Sequence, residues 1–202
     1  MKLQVPRWLR SIIGRDLLWK VESSSKVIYL TFDDGPIPEV TPLVVEILKS
    51  YNWKATFFCV GENVSRYPEV FTLLLEEGHR VGNHTFNHMQ AFRNPADVYL
   101  RNVYKAREWI DSRLFRPPHG QLTGSLKRAL MKDFTVVMWD VLTYDYDAGM
   151  KEEEMLKILK RELRPGSIVV FHDSLKARDR MLKVLPKALE YWMSEGYTFG
   201  LL

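Results

Sequence analysis

Asp33 and Asp34 stand side by side in the run Thr31-Phe32-Asp33-Asp34-Gly35-Pro36. Adjacent carboxylates repel each other, so a tight turn that holds both calls for a cation or a proton. Asp-Asp-Gly-Pro is also good turn chemistry in its own right. A second cluster, His84-Thr85-Phe86-Asn87-His88, holds two of the chain's five histidines. On a helical turn, imidazoles at i and i+4 face the same way, as metal ligands need. Two imidazoles and one carboxylate make a three-ligand site for a divalent cation, with a position left open for water and substrate. The other aspartate is then free to serve as a base toward water. Arg116-Pro117-Pro118-His119-Gly120 sets a fixed cation on a stiff turn, where it can keep a carboxylate ionised or form a plain structural ion pair. His172 ends the apolar run Ile168-Val169-Val170-Phe171, a place for a core histidine or for a catalyst.

These residues need a frame to bring them together. Short apolar runs alternate with segments of helical period along the chain. Strands are predicted over 26–32, 55–60, 80–83, 114–116, 134–139 and 167–171, with 197–202 closing the sheet. Helices are predicted from Thr41-Pro42, with Thr41 as N-cap, from Pro68 to Gly78, and from Asn94-Pro95, whose Ala96, Leu100, Val103, Ala106 and Ile110 share a face. Further helices fall at about 123–132, 150–163 and 177–193. The alternation predicts an α/β fold of about seven parallel strands. With no Gly-rich phosphate loop, a distorted, TIM-barrel-like (β/α) barrel is preferred over a doubly wound open sheet. In that frame Asp33 and Asp34 follow the first strand, and His84 and His88 the third. Arg116 ends the fourth, Asp140 and Asp145 follow the fifth, and His172 ends the sixth. All then face the C-terminal end of the barrel, where active sites form.

Composition sets the outer limits. The chain has 202 residues, 46% hydrophobic and 27% charged, which suits one globular domain. The net charge of +4 is scattered, with no nucleic-acid motif, so no nucleic-acid partner is expected. The single Cys59 lies in a strand of core character and reads as a buried thiol. No segment is long and apolar enough to span a membrane. Arginines interrupt the apolar stretches from Met1 to Arg15, so no signal-peptide core is read and a cytoplasmic location is expected. Val5, Trp8, Leu9, Ile12 and Ile13 fall on one face of a short helix, with Arg7 and Arg10 off it. Residues 1–25 are therefore expected as an extension packed on the barrel, in preference to an interfacial membrane helix, and 26–202 as the catalytic domain.

Together the motifs resemble the five ordered motifs of the polysaccharide deacetylases, the NodB-homology or carbohydrate esterase 4 family. They are Thr31 to Pro36, His84 to His88, Arg116 to Gly120, Asp140 to Tyr146, and Val170-Phe171-His172. The resemblance runs from about Val27 to the C-terminus. It implies hydrolysis of an N-acetyl group on a glycan or oligosaccharide, releasing acetate and a free amino sugar. It implies one divalent ion, zinc first, with cobalt, manganese or nickel as alternatives. Asp33 would be the base and Asp34, His84 and His88 the metal ligands. Arg116 would orient Asp33, His172 would be the general acid, and Asp145 would hold His172. The backbone N–H of His119 would help to bind the oxyanion. Three positions depart from the family pattern: His119 replaces a tyrosine, Tyr146 a tryptophan and Val170 a leucine. The first two bear on the sugar groove and on substrate choice. His79 reads as structural. The same residues could serve an amidase for a small or non-sugar amide, and a barrel that only binds sugar would have no use for Asp33 and His172 beside a full ligand set.

Overall fold

The structure is a computed structural model that describes Arg10 and residues 14–202. Eight strands are present among these residues: β1 (Val27–Asp33), β2 (Thr56–Cys59), β3 (Arg80–Asn83), β4 (Leu114–Phe115), β5 (Thr135–Val136), β6 (Val141–Leu142), β7 (Ile168–His172) and β8 (Thr198–Phe199). The sheet runs β5-β4-β3-β2-β1-β7-β6, with β8 beside the start of β1, and every pairing is parallel. Helices cover its outer face: α1 (Thr41–Ser50), α2 (Gly61–Arg66), α3 (Pro68–Glu76), α4 (Ala96–Arg107), α5 (Gly124–Leu130), α6 (Glu152–Arg161) and α7 (Arg178–Ser194). This is the distorted (β/α) barrel expected from the sequence. β1 and β7 are apolar almost throughout, as strands buried on both faces must be. Phe32 stacks against Phe57 and against Phe171 beneath the helices, with ring centroids 4.9 and 5.9 Å apart.

The barrel has a seam, because the edge strands β5 and β6 do not pair. The stretch from Leu17 to Val21 crosses there from the end of β5 to the start of β7. Leu18 bridges to Val137 in parallel, and Lys20 bridges to Ser167 antiparallel. The N–H of Val21 donates to the Gly166 carbonyl at 3.0 Å. Leu17 and Trp19 are buried with Phe115, Phe134 and Val136. Arg10 is buried too and pairs with Asp140, although the periodicity set it off the apolar face. Val5, Trp8, Leu9, Ile12 and Ile13 lie outside the described residues.

Three local readings are corrected. The strand expected at 134–139 is only β5, which ends at Val136, and β6 begins directly after Asp140, so Asp140 leads into β6 and does not close β5. Its N–H donates to the carbonyl of Ile168, the first residue of β7, which places Asp140 at the N-terminal end of the barrel, away from the site. There its carboxylate accepts from Arg10, Arg164 and Ser167, a satisfied structural cluster. Second, Val40 and not Thr41 caps α1, because the Thr41 hydroxyl is engaged elsewhere. Third, α2 was not foreseen: it is short, and it proves to support the site.

Candidate active site

The C-terminal ends of the strands bring the candidates together. Asp33 ends β1, buried, and faces Arg116, which follows β4 and is fully buried. Arg116 Nη1 donates to Asp33 Oδ1 at 2.7 Å and to Thr31 Oγ1 at 2.8 Å. Its other nitrogens reach the carbonyls of Met138 and Val137, and its plane lies 4.1 Å from the Phe58 ring centroid. Burial pushes the guanidinium down from its ordinary value, with the Asp33 carboxylate opposing that shift. A buried ion pair so fully hydrogen-bonded holds Asp33 in one orientation and leaves its second oxygen for another partner.

The next residue, Asp34, turns the chain with a φ of 87°. Its Oδ1 lies 3.2 Å from His88 Nε2 and 3.7 Å from His84 Nε2. That oxygen is buried and makes no hydrogen bond. One ligand atom from each of the three residues falls within 4.8 Å of the others. His84 Nδ1 meets the Arg116 carbonyl at 2.7 Å, so Nδ1 carries the proton and Nε2 turns a lone pair inward. Burial pushes His84 down to about 4, which keeps the ring neutral at pH 7. Burial raises the Asp34 carboxyl, but the contact with His88 and the charge of His172 outweigh it and hold it well below the usual range. An orphaned carboxylate oxygen facing two imidazole nitrogens fits a divalent cation.

His84 and His88 do not share a helical turn, as their spacing suggested. They sit in a loop that doubles back, with φ of 66° at Thr85 and 56° at His88, and their rings are 5.1 Å apart. Asn83 and Asn102 accept the N–H groups of Thr85 and Phe86. From α2, the N–H groups of Gly61 and Glu62 donate to the carbonyls of the same two residues. Of six non-glycine residues described with positive φ, five lie in these loops: Asp34, Thr85, His88, His119 and Tyr144. Each such conformation costs about 1–3 kcal/mol and persists only where its surroundings fix it.

His172 ends β7 beside Asp33 and lines the same pocket. Its Nδ1 is 2.7 Å from Asp145 Oδ1, and its backbone N–H donates to Asp145 Oδ2 at 2.8 Å. Burial lowers the imidazole, but the charge and hydrogen bond of Asp145 override it, and with Asp34 and Asp33 lift His172 to about 9. Tyr146 packs edge-on against the His172 ring at 4.8 Å, and His119 packs against His88 at 4.8 Å. These residues line one pocket of about 300 Å³ with Trp139, Leu142 and Val170. The family model described as polysaccharide deacetylase matches residues 20–139, more than half of the chain. The chain belongs to this family. Over 189 residues the deacetylase is 34% identical to the peptidoglycan-N-acetylglucosamine deacetylase of Bacillus cereus, across 90% of this chain and 88% of that protein. It is 33% identical to a chitooligosaccharide deacetylase of Azorhizobium caulinodans, across 81% of this chain and 80% of that one. The crystal structure of the Bc1960 peptidoglycan N-acetylglucosamine deacetylase matches with a TM-score of 0.87 and 28% identity, over 96% of this chain and 93% of that one. The chain is thus a hydrolase of carbon–nitrogen bonds that N-deacetylates sugar polymers.

Two supporting residues of the deacetylase escaped the motif reading. Asn63, on α2, donates its Nδ2 to the Asp34 carbonyl at 2.8 Å. Asp173 is buried directly after His172 and accepts from the Gly35 N–H and the Thr41 hydroxyl. A polar residue continuing past the end of an apolar strand was the only signal for Asp173. His79 is structural as read: its Nδ1 accepts the Ala55 N–H.

Proposed function

We propose that the deacetylase removes the acetyl group of an N-acetylated sugar with a divalent cation held by Asp34, His84 and His88. The observation that carries this is that two hydrogen-bonded pairs, Asp33–Arg116 and His172–Asp145, converge on the pocket lined by the three candidate ligands. When bound there, a divalent ion, zinc foremost, supplies Lewis acidity toward the acetamide carbonyl and toward water. Arg116 occupies one oxygen of Asp33, which leaves the second oxygen to take the proton of the attacking water. The backbone N–H of His119, beside His88, donates to the oxygen that gains charge, a preorganised stabilisation that typically dominates such steps. Asp145 fixes the Nδ1 proton of His172 and keeps the ring cationic, so Nε2 donates to the leaving nitrogen. The amine then departs neutral beside acetate. Trp139, Tyr146 and His119 supply aromatic walls of the kind that sugar rings pack against.

The test is acetate release from acetylated chitooligosaccharides and from peptidoglycan, with zinc, cobalt, manganese or nickel added to metal-stripped protein. Release that depends on the metal and on Asp33 supports the assignment. Equal turnover in the presence of chelator would refute the metal, and release only from small non-sugar amides would refute the substrate.

A further inference from the structure

The turn that presents Asp33 and Asp34 is gripped at a single peptide plane. Between Asp34 and Gly35, the carbonyl accepts from Asn63 Nδ2 at 2.8 Å and the N–H donates to Asp173 Oδ1 at 3.0 Å. Fixing both ends of that plane fixes the ψ of Asp34, the residue whose φ of 87° would otherwise relax. Asp173 Oδ2 accepts the Thr41 hydroxyl at 2.6 Å, and Thr41 in turn accepts the Ile37 N–H at 2.8 Å beyond the turn. The backbone N–H of Asp173 donates to the Asp33 carbonyl at 3.0 Å. One residue therefore touches the chain at Asp33, at Gly35 and, through Thr41, at Ile37. The fit is close: a Cβ on Gly35 would lie 1.9 Å from Asp173 Oδ2. Only a carboxyl offers two acceptors in one plane to an N–H and an O–H at once. Asp173 and Thr41 are both fully or nearly fully buried, so neither contact is shared with solvent.

We propose that Asp173 is a positioning residue of the metal centre, with Thr41 as its anchor: it sets the direction of the Asp34 carboxylate toward His84 and His88. This rests on the metal reading above. Removing a residue that orients a ligand typically weakens metal binding about 10–100-fold. The experiment measures zinc affinity by competition with a chromophoric chelator, together with thermal stability, kcat and KM. It compares the wild-type chain with Asp173→Ala, Asp173→Asn and Thr41→Val. The expected result is weaker zinc binding in Asp173→Ala and Thr41→Val, with kcat falling more than KM rises at saturating zinc. Asp173→Asn keeps one acceptor and should recover part of the affinity. A lowered melting temperature with wild-type zinc affinity and wild-type kcat would make Asp173 merely structural and overturn the inference. Should Asp173→Ala not fold, Thr41→Val, which leaves the site carboxylates in place, decides by the same readout. A wild-type chain that binds no zinc would overturn the metal reading itself, an outcome distinct from unchanged affinity in folded variants.

Discussion

Replacing Asp145 with asparagine removes a charge while keeping the side chain's shape, and it should move one limb of the pH profile. In the proposed mechanism His172 must be protonated to donate, so activity is present below its pKa and is lost as pH rises through it. In the native site that value lies near 9, because Asp145 overcomes the burial that would lower it. A contacting opposite charge shifts a titrating group by about 1–3 pH units, so the alkaline limb of Asp145→Asn should fall by about that much. A bound cation repels the imidazolium and draws both limbs down, but it does so in both proteins and leaves the difference intact. The same contact contributes to stability. His172 is raised from 6.5 on folding, so its stabilisation is complete below about pH 6.5 and is lost as pH climbs through about 9. At 1.36 kcal/mol per unit that is about 3 kcal/mol. Asparagine has one carbonyl for the two donors that Asp145 accepts, His172 Nδ1 and the His172 N–H. The assay is kcat/KM against pH on one acetylated oligosaccharide at saturating zinc, with unfolding followed at neutral and alkaline pH. An alkaline limb at the same pH in both proteins would refute the pairing of His172 as acid with Asp145 as its support.

Asp33→Asn should retain zinc but lose turnover by about 10²–10⁴, read from single-substrate kinetics beside metal analysis. His84→Ala should lose zinc and activity together while its circular dichroism stays native; stoichiometric zinc in that variant would remove His84 from the ligand set. Arg116→Ala leaves the Asp33 carboxylate buried without a cation and should cost about 3–5 kcal/mol in denaturant unfolding, in addition to activity. Asp140→Ala should lower stability by a similar amount, about 3–5 kcal/mol, by removing the buried carboxylate that Arg10, Arg164 and Ser167 share. Its kcat/KM should stay at the wild-type value, and a marked loss of kcat would bring Asp140 back to the active-site face.

Much of the site was legible because chemistry restricts residue type. Asp33, Asp34, His84, His88, Arg116, Asp145 and His172 follow apolar strands, and parallel strands in a barrel deliver their C-terminal ends to one face. Geometry within the loops was not legible. The spacing of His84 and His88 matches a helical turn, yet their rings converge through left-handed residues that no propensity favours for Thr85. Asp140 was misplaced because a continuous apolar run hid a break between β5 and β6, and a break of that kind inverts which end of the barrel a residue occupies. Arg10 lay off the apolar face by periodicity, but a buried carboxylate 130 positions later gives it a reason to turn inward. Asp173 and Asn63 act on backbone groups, and backbone groups carry no mark in the sequence.

The seam bears on how the chain folds. Arg10 meets its partner 130 residues downstream, and Lys20 reaches the carbonyl of Pro165, 145 residues away. Closing loops of that length is slow compared with forming the neighbouring strand–helix units. During synthesis, at roughly 5–20 residues per second, these upstream residues wait on the order of ten seconds for the strands they join. They emerge before those strands and are among the last to dock. Until they do, β5 presents an open edge and the apolar side chains of Leu17 and Trp19 remain uncovered, which makes the half-assembled barrel the species most prone to associate with its own kind.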